Sequence, residues 1–319
     1  MNPTARNLKI AQKFYSGYHG AVQRGGLVGV FDPVDFADGW VFCSPYLGGE
    51  MTPDAQELAA GADANHKTIW KRIPDYRMDQ FAAWPNEEGC AWRWLVNGHG
   101  LDGRRYAFWE TLFIRTDERG KVTRFEFFDD WHGFPQALAY AYDVPLDTVT
   151  GTEGYGQPPF RAPTPTVFTE PPAPAPPRGT SAARNLALAE RWYDGYHHMA
   201  ERGHLVGPFD PADFAPQWVM CSGWGGEHVM SGDVDWAAVG EREHRKIWQR
   251  IPDYGMDQFA AWPTEDGCAW RWRVGGTSVE GTEYAFWEQV FVRTNDAGKI
   301  IRLEFFDDWK GFPQTLGHV

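Results

Sequence analysis

His66 to Tyr76 read HKTIWKRIPDY, and His244 to Tyr254 read HRKIWQRIPDY. Each stretch is the end of a helix. His66, Ile69, Trp70 and Ile73 fall on one stripe at helical spacing, and Pro74 stops the helix because it disfavours helical backbone before it. Outward from this point the repetition continues. MDQFAAWPNEEGCAWRW (Met78 to Trp94) returns as MDQFAAWPTEDGCAWRW (Met256 to Trp272), and EFFDDWHGFPQ (Glu126 to Gln136) as EFFDDWKGFPQ (Glu304 to Gln314). The offset is 178 residues, with a small slip near Gly48. Each copy is the size of one ordinary domain, and the period is too long for a solenoid, so a globular domain stands twice in the chain.

The expected boundaries are residues 1–139 for copy one, 140–182 for a connector and 183–319 for copy two. Gln157 to Arg178 holds nine prolines in 22 residues. Proline removes backbone donors and stiffens the chain, so an extended connector is expected there. Tyr140 to Gly156 is ambiguous, because its tyrosines and Val144 could pack on copy one.

Within a copy the order reads helix (Asn7 to Val22), short strand (Trp40 to Ser44), helix (Ala59 to Ile73), then four strands. These strands are Tyr76 to Trp84, Cys90 to Asn97, Arg105 to Arg115 and Lys121 to Asp129. PNEEG and DERG join them as hairpin turns do. A curved antiparallel sheet wrapped over helices is expected, an α+β cone with an interior pocket. The two cones are expected to be pseudo-twofold related.

The formal charge of −13 argues against nucleic acid and against an anionic membrane surface. No apolar run reaches the length of a spanning helix. The N-terminus does not read as a signal peptide, and none of the four cysteines stands in a CxxC, so buried free thiols in the cytoplasm are expected. The excess is aromatic, with 17 Trp, 21 Phe and 12 Tyr. Rings fill cores, and they also line pockets for flat apolar ligands.

Strand alternation sorts the candidates for chemistry. Phe125, Phe127 and Asp129 share one face. A carboxylate among rings is desolvated, which raises its pKa and suits it to proton transfer. Asp129 and its twin Asp307 are thus the first candidates for a general base. Capping of the turn at Gly133 is the structural alternative. On the preceding strand Tyr106, Phe108 and Glu110 share an apolar face, as do Tyr284, Phe286 and Glu288. Burying such a glutamate unpaired is costly, so a second acid–base pair and a plain Tyr or Arg partner are both open. His66 and His244 lie on the apolar stripe of the second helix, where an imidazole could move protons near neutral pH. Arg72 and Arg250 could meet an anionic group or simply favour the helix C-terminus. His19 and His197 read as structural. Trp70, Trp92, Trp94, Trp109, Phe108 and Phe127, with the twins Trp248, Trp272, Phe286 and Phe305, are candidates for the pocket wall. No metal-ligand spacing recurs in both copies, and there is no dinucleotide, Walker or nucleophile-elbow motif. No metal and no cofactor are expected.

The run IPDY, seven residues, WP, three residues, then G-x-x-W-R-W, followed by an aromatic strand, GKV and a second aromatic strand ending in Asp, resembles the SnoaL-like branch of the nuclear transport factor 2-like superfamily. The resemblance covers most of each copy. It implies a cone-shaped α+β barrel and an activity among cofactor-independent cyclases, isomerases, epoxide hydrolases, dehydratases and carbon–carbon lyases, or plain binding. The family's usual His-Trp-Asp segment would fall at Phe125 to Phe127, which carries no Asp. Fold alone does not fix function. The expectation is a cofactor-free lyase, by elimination or retro-aldol cleavage, on a small apolar, aromatic or polycyclic molecule. Asp129 or His66 would be the base and Tyr106 or Arg72 the donor. An isomerase, cyclase or dehydratase, a non-catalytic small-molecule binding protein, and a filled pseudo-dimer are the alternatives, with a further homodimer left open.

Overall fold

The computed structural model describes residues 2–45, 49–130, 133–146, 149, 156–157, 160–161, 176–223, 226–232 and 234–308. The chain divides into two compact units, Met1–Phe168 and Thr169–Val319.

In the first unit, helix α1 (Pro3–His19) begins where the Asn2 side chain accepts from the Ala5 N–H, with Pro3 in the first turn, where its missing donor costs nothing. A short α2 (Ala21–Arg24) follows. Strands β1 (Phe36–Ser44) and β2 (Gly49–Met51) precede α3 (Ala55–Trp70), which is capped by Asp54. Strands β3 (Arg77–Pro85), β4 (Gly89–His99), β5 (Arg105–Thr116) and β6 (Val122–Asp129) form a meander, and α4 (Phe134–Tyr142) closes the unit's regular part. A two-residue pair, β7 (Gly156–Gln157) and β8 (Phe160–Arg161), lies beyond. The second unit repeats the plan as α5 (Ser181–His197), α6 (Met199–Arg202), β9 (Phe214–Ser222), β10 (Gly226–Ser231), α7 (Trp236–Arg250) and β11 to β14 (Gly255–Thr264, Gly267–Thr277, Glu283–Thr294, Ile300–Asp307).

Among the described residues the long strands form two six-stranded sheets, ordered β2-β1-β6-β5-β4-β3 and β10-β9-β14-β13-β12-β11. Two features differ from the expectation. The sheets are mixed, because β1 runs parallel to β6, and β9 to β14. A period of two is the same for parallel and antiparallel neighbours, so alternation could not reveal the direction. The sheets are also open, with β2 and β3 at the edges of the first, so the architecture is an α+β cone and not a closed barrel. The short strand β2 and helix α4, which crosses position 139, were not read from the sequence. The proline-rich segment lies almost wholly outside the described residues.

Curvature comes from a bulge. Between Asp79 and Ala82 the register of β3 slips against β4, and Gln80 takes a φ of 52°. The same slip occurs between Asp257 and Ala260, with Gln258 at 50°. A non-glycine residue there is uncommon, and a bulge bends its strand. In both units an arginine from the neighbouring strand, Arg93 or Arg271, donates to the carbonyl of that glutamine. Close approach fixes one glycine: a Cβ on Gly89 would lie 1.9 Å from the Ile114 carbonyl oxygen, and one on Gly267 2.0 Å from that of Val292. A buried asparagine ties each first helix to the hairpin across the sheet. The Asn7 amide donates to the Asn86 carbonyl at 2.9 Å, and that of Asn185 to Thr264 at 2.9 Å.

The narrow end of each cone is packed with rings. Phe14 lies 5.2 Å from Phe31, 5.0 Å from Phe125 and 5.9 Å from Trp92 between ring centres. In the second unit Trp192 takes the place of Phe14, 4.8 Å from Phe209 and 5.9 Å from Trp270. The four cysteines are buried and form no disulfide. No helix among the described residues is long and apolar enough to cross a membrane.

Candidate active site

Each unit also holds buried polar groups among the rings. Register brings them together. Glu110 on β5 stands directly opposite Asp129 on β6 and opposite Trp94 on β4. In the second unit Glu288 stands opposite Asp307 and Trp272. Side chains of directly paired residues share a face and lie within contact of each other. Glu110 and Asp129 are both buried, and as directly paired residues they put two carboxyl groups side by side. The Trp94 indole N–H donates to Glu110 Oε2. Trp272 Nε1 donates to Glu288 Oε1 at 3.1 Å, and Glu288 is likewise paired in register with Asp307.

Two carboxyl groups side by side in a buried site disfavour both being ionised, and a protonated one can donate where an ionised one only accepts. Burial raises the pKa of Glu110 and of Glu288 well above the ordinary carboxylate range, while the indole and the partner carboxyl pull the other way. Desolvation is the larger effect, so the protonated form persists toward neutral pH. Each pair titrates as a unit.

Two tyrosines complete the arrangement. Tyr18 comes from α1 and Tyr76 from the turn after α3, and both are buried. Burial, and then the charges of Glu110 and Asp129, push both phenols above their ordinary value. They therefore stand as neutral O–H groups. Tyr196 and Tyr254 do the same in the second unit, raised by burial and then by Glu288. Tyr18 packs on Trp94 at 5.6 Å between ring centres and Tyr196 on Trp272 at 5.5 Å.

His66 joins from α3. Its ring lies 5.0 Å from Tyr18, 5.9 Å from Tyr76 and 6.0 Å from Trp70. Its Nδ1 donates to the Ala62 carbonyl at 2.8 Å, one turn back along the helix. A carbonyl can only accept, so Nδ1 carries the hydrogen, and in the neutral ring Nε2 is the acceptor. Burial lowers the pKa of His66, which favours that neutral form. His244 repeats the hydrogen bond and the tyrosine contacts, with Nδ1 on the Gly240 carbonyl at 2.8 Å and its ring 5.1 Å from Tyr196 and 6.3 Å from Tyr254.

Of the residues singled out from the sequence, Asp129, Glu110, His66 and Trp94 belong to one interior, as do Asp307, Glu288, His244 and Trp272. Trp70 flanks His66, and Phe108 and Phe127 stand beside the carboxyls on the same strand faces, as Phe286 and Phe305 do in the other unit; Trp248 holds the place of Trp70 on α7. Glu110 has neither a Tyr nor an Arg as its partner but an indole and a second acid. Tyr106 is not brought to the carboxyls. It sits four residues up the strand, about 13 Å at strand rise, with its hydroxyl on Asp102 Oδ2 at 3.1 Å. Tyr284 occupies the matching place on β13. Arg72 is also outside, paired with Asp143 at 2.9 Å, and Arg250 faces Glu280 at 3.5 Å. The sequence reading passed over Tyr18 and Tyr76 as site residues. Their signal was present: both recur in copy two, and Tyr18 shares the helical stripe of Phe14.

Among the described residues no three His, Cys, Asp or Glu side chains converge as a metal ion would require. A shallow depression of about 390 Å³ lined by Arg178, Thr180 and Arg184 holds none of these groups.

No protein-family model and no curated protein matches the chain. Solved structures similar to it are NTF2-like and SnoaL-like proteins, each spanning about one copy. AclR of Streptomyces galilaeus, provisionally described as a hydroxylase, is 18% identical over 43% of this chain and 87% of its own, with a TM-score of 0.33. A provisionally described SnoaL-like polyketide cyclase from Jannaschia sp. CCS1 is 13% identical over 45% and 96%, with a TM-score of 0.32. A hypothetical protein with a ketosteroid isomerase-like fold from Catenulispora acidiphila, in complex with trimethylamine, is 16% identical over 44% and 95%, with a TM-score of 0.31. What they share with this chain is the α+β cone.

Proposed function

We propose that each unit is a cofactor-free acid–base site that removes a proton from carbon beside a carbonyl group in a small, flat, apolar molecule. The observation that carries this reading is the carboxyl pair, Glu110 with Asp129 and Glu288 with Asp307, set in the same register in both units. A pair that shares one proton offers a base and an acid side by side, and like-charge repulsion keeps the second proton in place near neutral pH.

Asp129 takes the proton from the carbon. The electrons of the C–H bond move toward the carbonyl oxygen, and the negative charge that develops there receives hydrogen bonds from neutral O–H groups. Tyr18, Tyr76 and the proton on Glu110 are such donors, and they act most strongly where water is excluded. His66, neutral with Nε2 as acceptor, can take up or return a proton at the helix side. From the enolate two outcomes use the same residues. Loss of a leaving group from the β carbon makes the protein a lyase; retro-aldol cleavage reaches the same enolate when Asp129 instead takes the proton of a β-hydroxyl, the Cα–Cβ bond breaks and a carbonyl forms at the β carbon. Return of the proton to another carbon makes it an isomerase, a reading favoured by two acids on a single face.

The test is hydrogen–deuterium exchange. Rigid aryl ketones such as 1-indanone, incubated with the protein in D2O, should gain deuterium beside the carbonyl faster than in buffer. The double variant Asp129→Asn with Asp307→Asn should lose that excess by roughly 10²-fold or more, the scale of a positioned base. Equal exchange by the wild type and the double variant sinks the carboxyl pairs as the base.

A further inference from the structure

Helix α4 spans the gap between the two walls that carry the candidate groups. On the helix side the Tyr142 hydroxyl donates to Asn65, the residue before His66. On the sheet side Phe134 meets Phe108 at 5.1 Å between ring centres, and Phe108 shares the strand face of Glu110 two residues on. The inner face of α4 is apolar and buried, with Phe134, Ala137, Leu138 and Ala141. Gly133 enters the helix so close to β5 that a Cβ would lie 2.0 Å from the Ala107 carbonyl oxygen.

The far end of α4 is held by one compact clasp. The Tyr140 ring stacks on Tyr106 at 4.8 Å, and the Arg72 guanidinium lies 4.6 Å above it. Arg72 also pairs with Asp143, just past the helix, at 2.9 Å. The Tyr140 hydroxyl accepts from the Asp102 N–H at 3.1 Å, and Asp102 in turn accepts from Tyr106. Apart from the bond of Tyr106 to Asp102, these contacts run through Tyr140 or Arg72 at the rim. The arginine and tyrosine that the sequence offered as substrate donors serve the clasp.

We propose that α4 is the lid of the first unit's site and that the Tyr140–Arg72–Tyr106–Asp102 clasp keeps it shut. Opening at the clasp exposes the His66 ring and the route to Glu110 and Asp129. The residues of the clasp do not all recur: His318 aligns with Tyr140 and Glu280 with Asp102. Arg250 pairs with Glu280 at 3.5 Å. Helix α3 buries Ala55, Ile69 and Trp70, whereas α7 has no fully buried residue, so the two histidines differ in cover. Only the name "site" rests on the function proposed above, because the closure itself is measurable without turnover.

Diethyl pyrocarbonate acylates the accessible acceptor nitrogen of a neutral imidazole, and peptide mass spectrometry reads His66 and His244 in the same molecule. In the wild type His66 should react more slowly than His244. Tyr140→Ala removes the stack, the cation–π contact and the hydroxyl while keeping a good helix former. It should speed acylation of His66 by roughly tenfold or more, the scale of losing an aromatic pair together with a cation–π contact in a two-state opening. His244 serves as the control and should not change. Asp143→Asn removes the ion pair alone and should act in the same direction, more weakly. Amide exchange in β4 and β5 should stay at the wild-type level, which separates lid opening from unfolding. An unchanged His66 rate in Tyr140→Ala, with β4 and β5 intact, overturns the lid. So does equal acceleration at His244. Loss of aryl-ketone exchange activity with the His66 result intact would count against the proposed chemistry and not against the lid.

Discussion

The two units carry the same polar groups in different surroundings. Tyr18, His66, Tyr76, Trp94, Glu110 and Asp129 of the first recur without change as Tyr196, His244, Tyr254, Trp272, Glu288 and Asp307 of the second. The apolar packing behind them has drifted. Phe14 has become Trp192, Phe125 has become Leu303, and Phe42 has become Met220. A larger ring on the helix and a smaller side chain on the strand conserve volume, which is how cores tolerate change. Polar groups in a buried network have no such freedom, because each loss leaves a partner unsatisfied. The cover differs as well. Helix α3 buries Ala55, Ile69 and Trp70, whereas α7 has no fully buried residue. Glu110 is buried where Glu288 is partly exposed. The comparison teaches that the carboxyl–tyrosine–histidine set is held fixed while its enclosure is free to vary.

The largest effect should come from removing the carboxyls copy by copy. Asp129→Asn and Asp307→Asn should each cut the exchange activity of their own unit by 10²-fold or more, and the double variant should retain neither share. Full activity in one single variant and none in the other would show that one unit alone works, which would break the symmetry of the comparison. Next is stability. Trp70→Ala should cost the first unit about 3 kcal/mol, and Trp248→Ala should cost the second about 1 kcal/mol, because a half-exposed ring has less contact to lose. Calorimetry with two resolved transitions reads both, and equal losses would mean that the enclosures do not differ.

The pH dependence comes next in size. Burial raises Glu110 and Glu288 from an ordinary 4.5 to about 7. Between those values the folded protein holds protons that the unfolded chain releases. Stability is therefore greatest below about pH 4.5 on this account and falls as the pH rises through 7. Glutamine mimics the protonated acid, since its oxygen can accept from Trp94 and its amide can donate to Asp129. Glu110→Gln should thus stabilise the first unit by about 2 kcal/mol at pH 8 and hardly at all at pH 4. Destabilisation at pH 8 would mean that the fold favours the ionised acid and that burial does not raise its pKa. The smallest effect is expected of the phenols. Tyr76→Phe and Tyr254→Phe should each lower kcat roughly tenfold with KM little changed, as for one oxyanion donor among several. A change in KM alone would make the hydroxyl a binding group.

Much of this was legible in the sequence because two periodicities carry it. The spacing of His66, Ile69, Trp70 and Ile73 marked the helix and its inward stripe. The alternation Phe125, Phe127, Asp129 put the acid on the inner face, and that of Phe108 with Glu110 did the same on β5. What alternation cannot supply is the neighbour. That Glu110 lies opposite Asp129 depends on the register of β5 on β6, which the DERG turn fixes and no side-chain pattern states. The parallel pairing of β1 with β6 was hidden for the same reason. Tyr106 misled because it shares the face of Glu110 yet stands two pairs further up the strand, beyond the interior. Helix α4 was missed because Ala137, Ala139 and Ala141 dilute its apolar stripe and because the duplication stops matching there.

The parallel contact between the first and last strands of each unit bears on how the chain is made. β1 cannot be flanked on both sides until residues near 125 have been synthesised, a distant contact that slows folding. The last strands of the two units carry the same EFFDDW, so β1 would find an acceptable partner in β14 as well as in β6. Such exchange is the characteristic error of tandem repeats. Emergence from the ribosome resolves it in time: β6 is available well before β14 exists. Refolding of the whole chain from denaturant lacks that order and is where cross-paired species should accumulate.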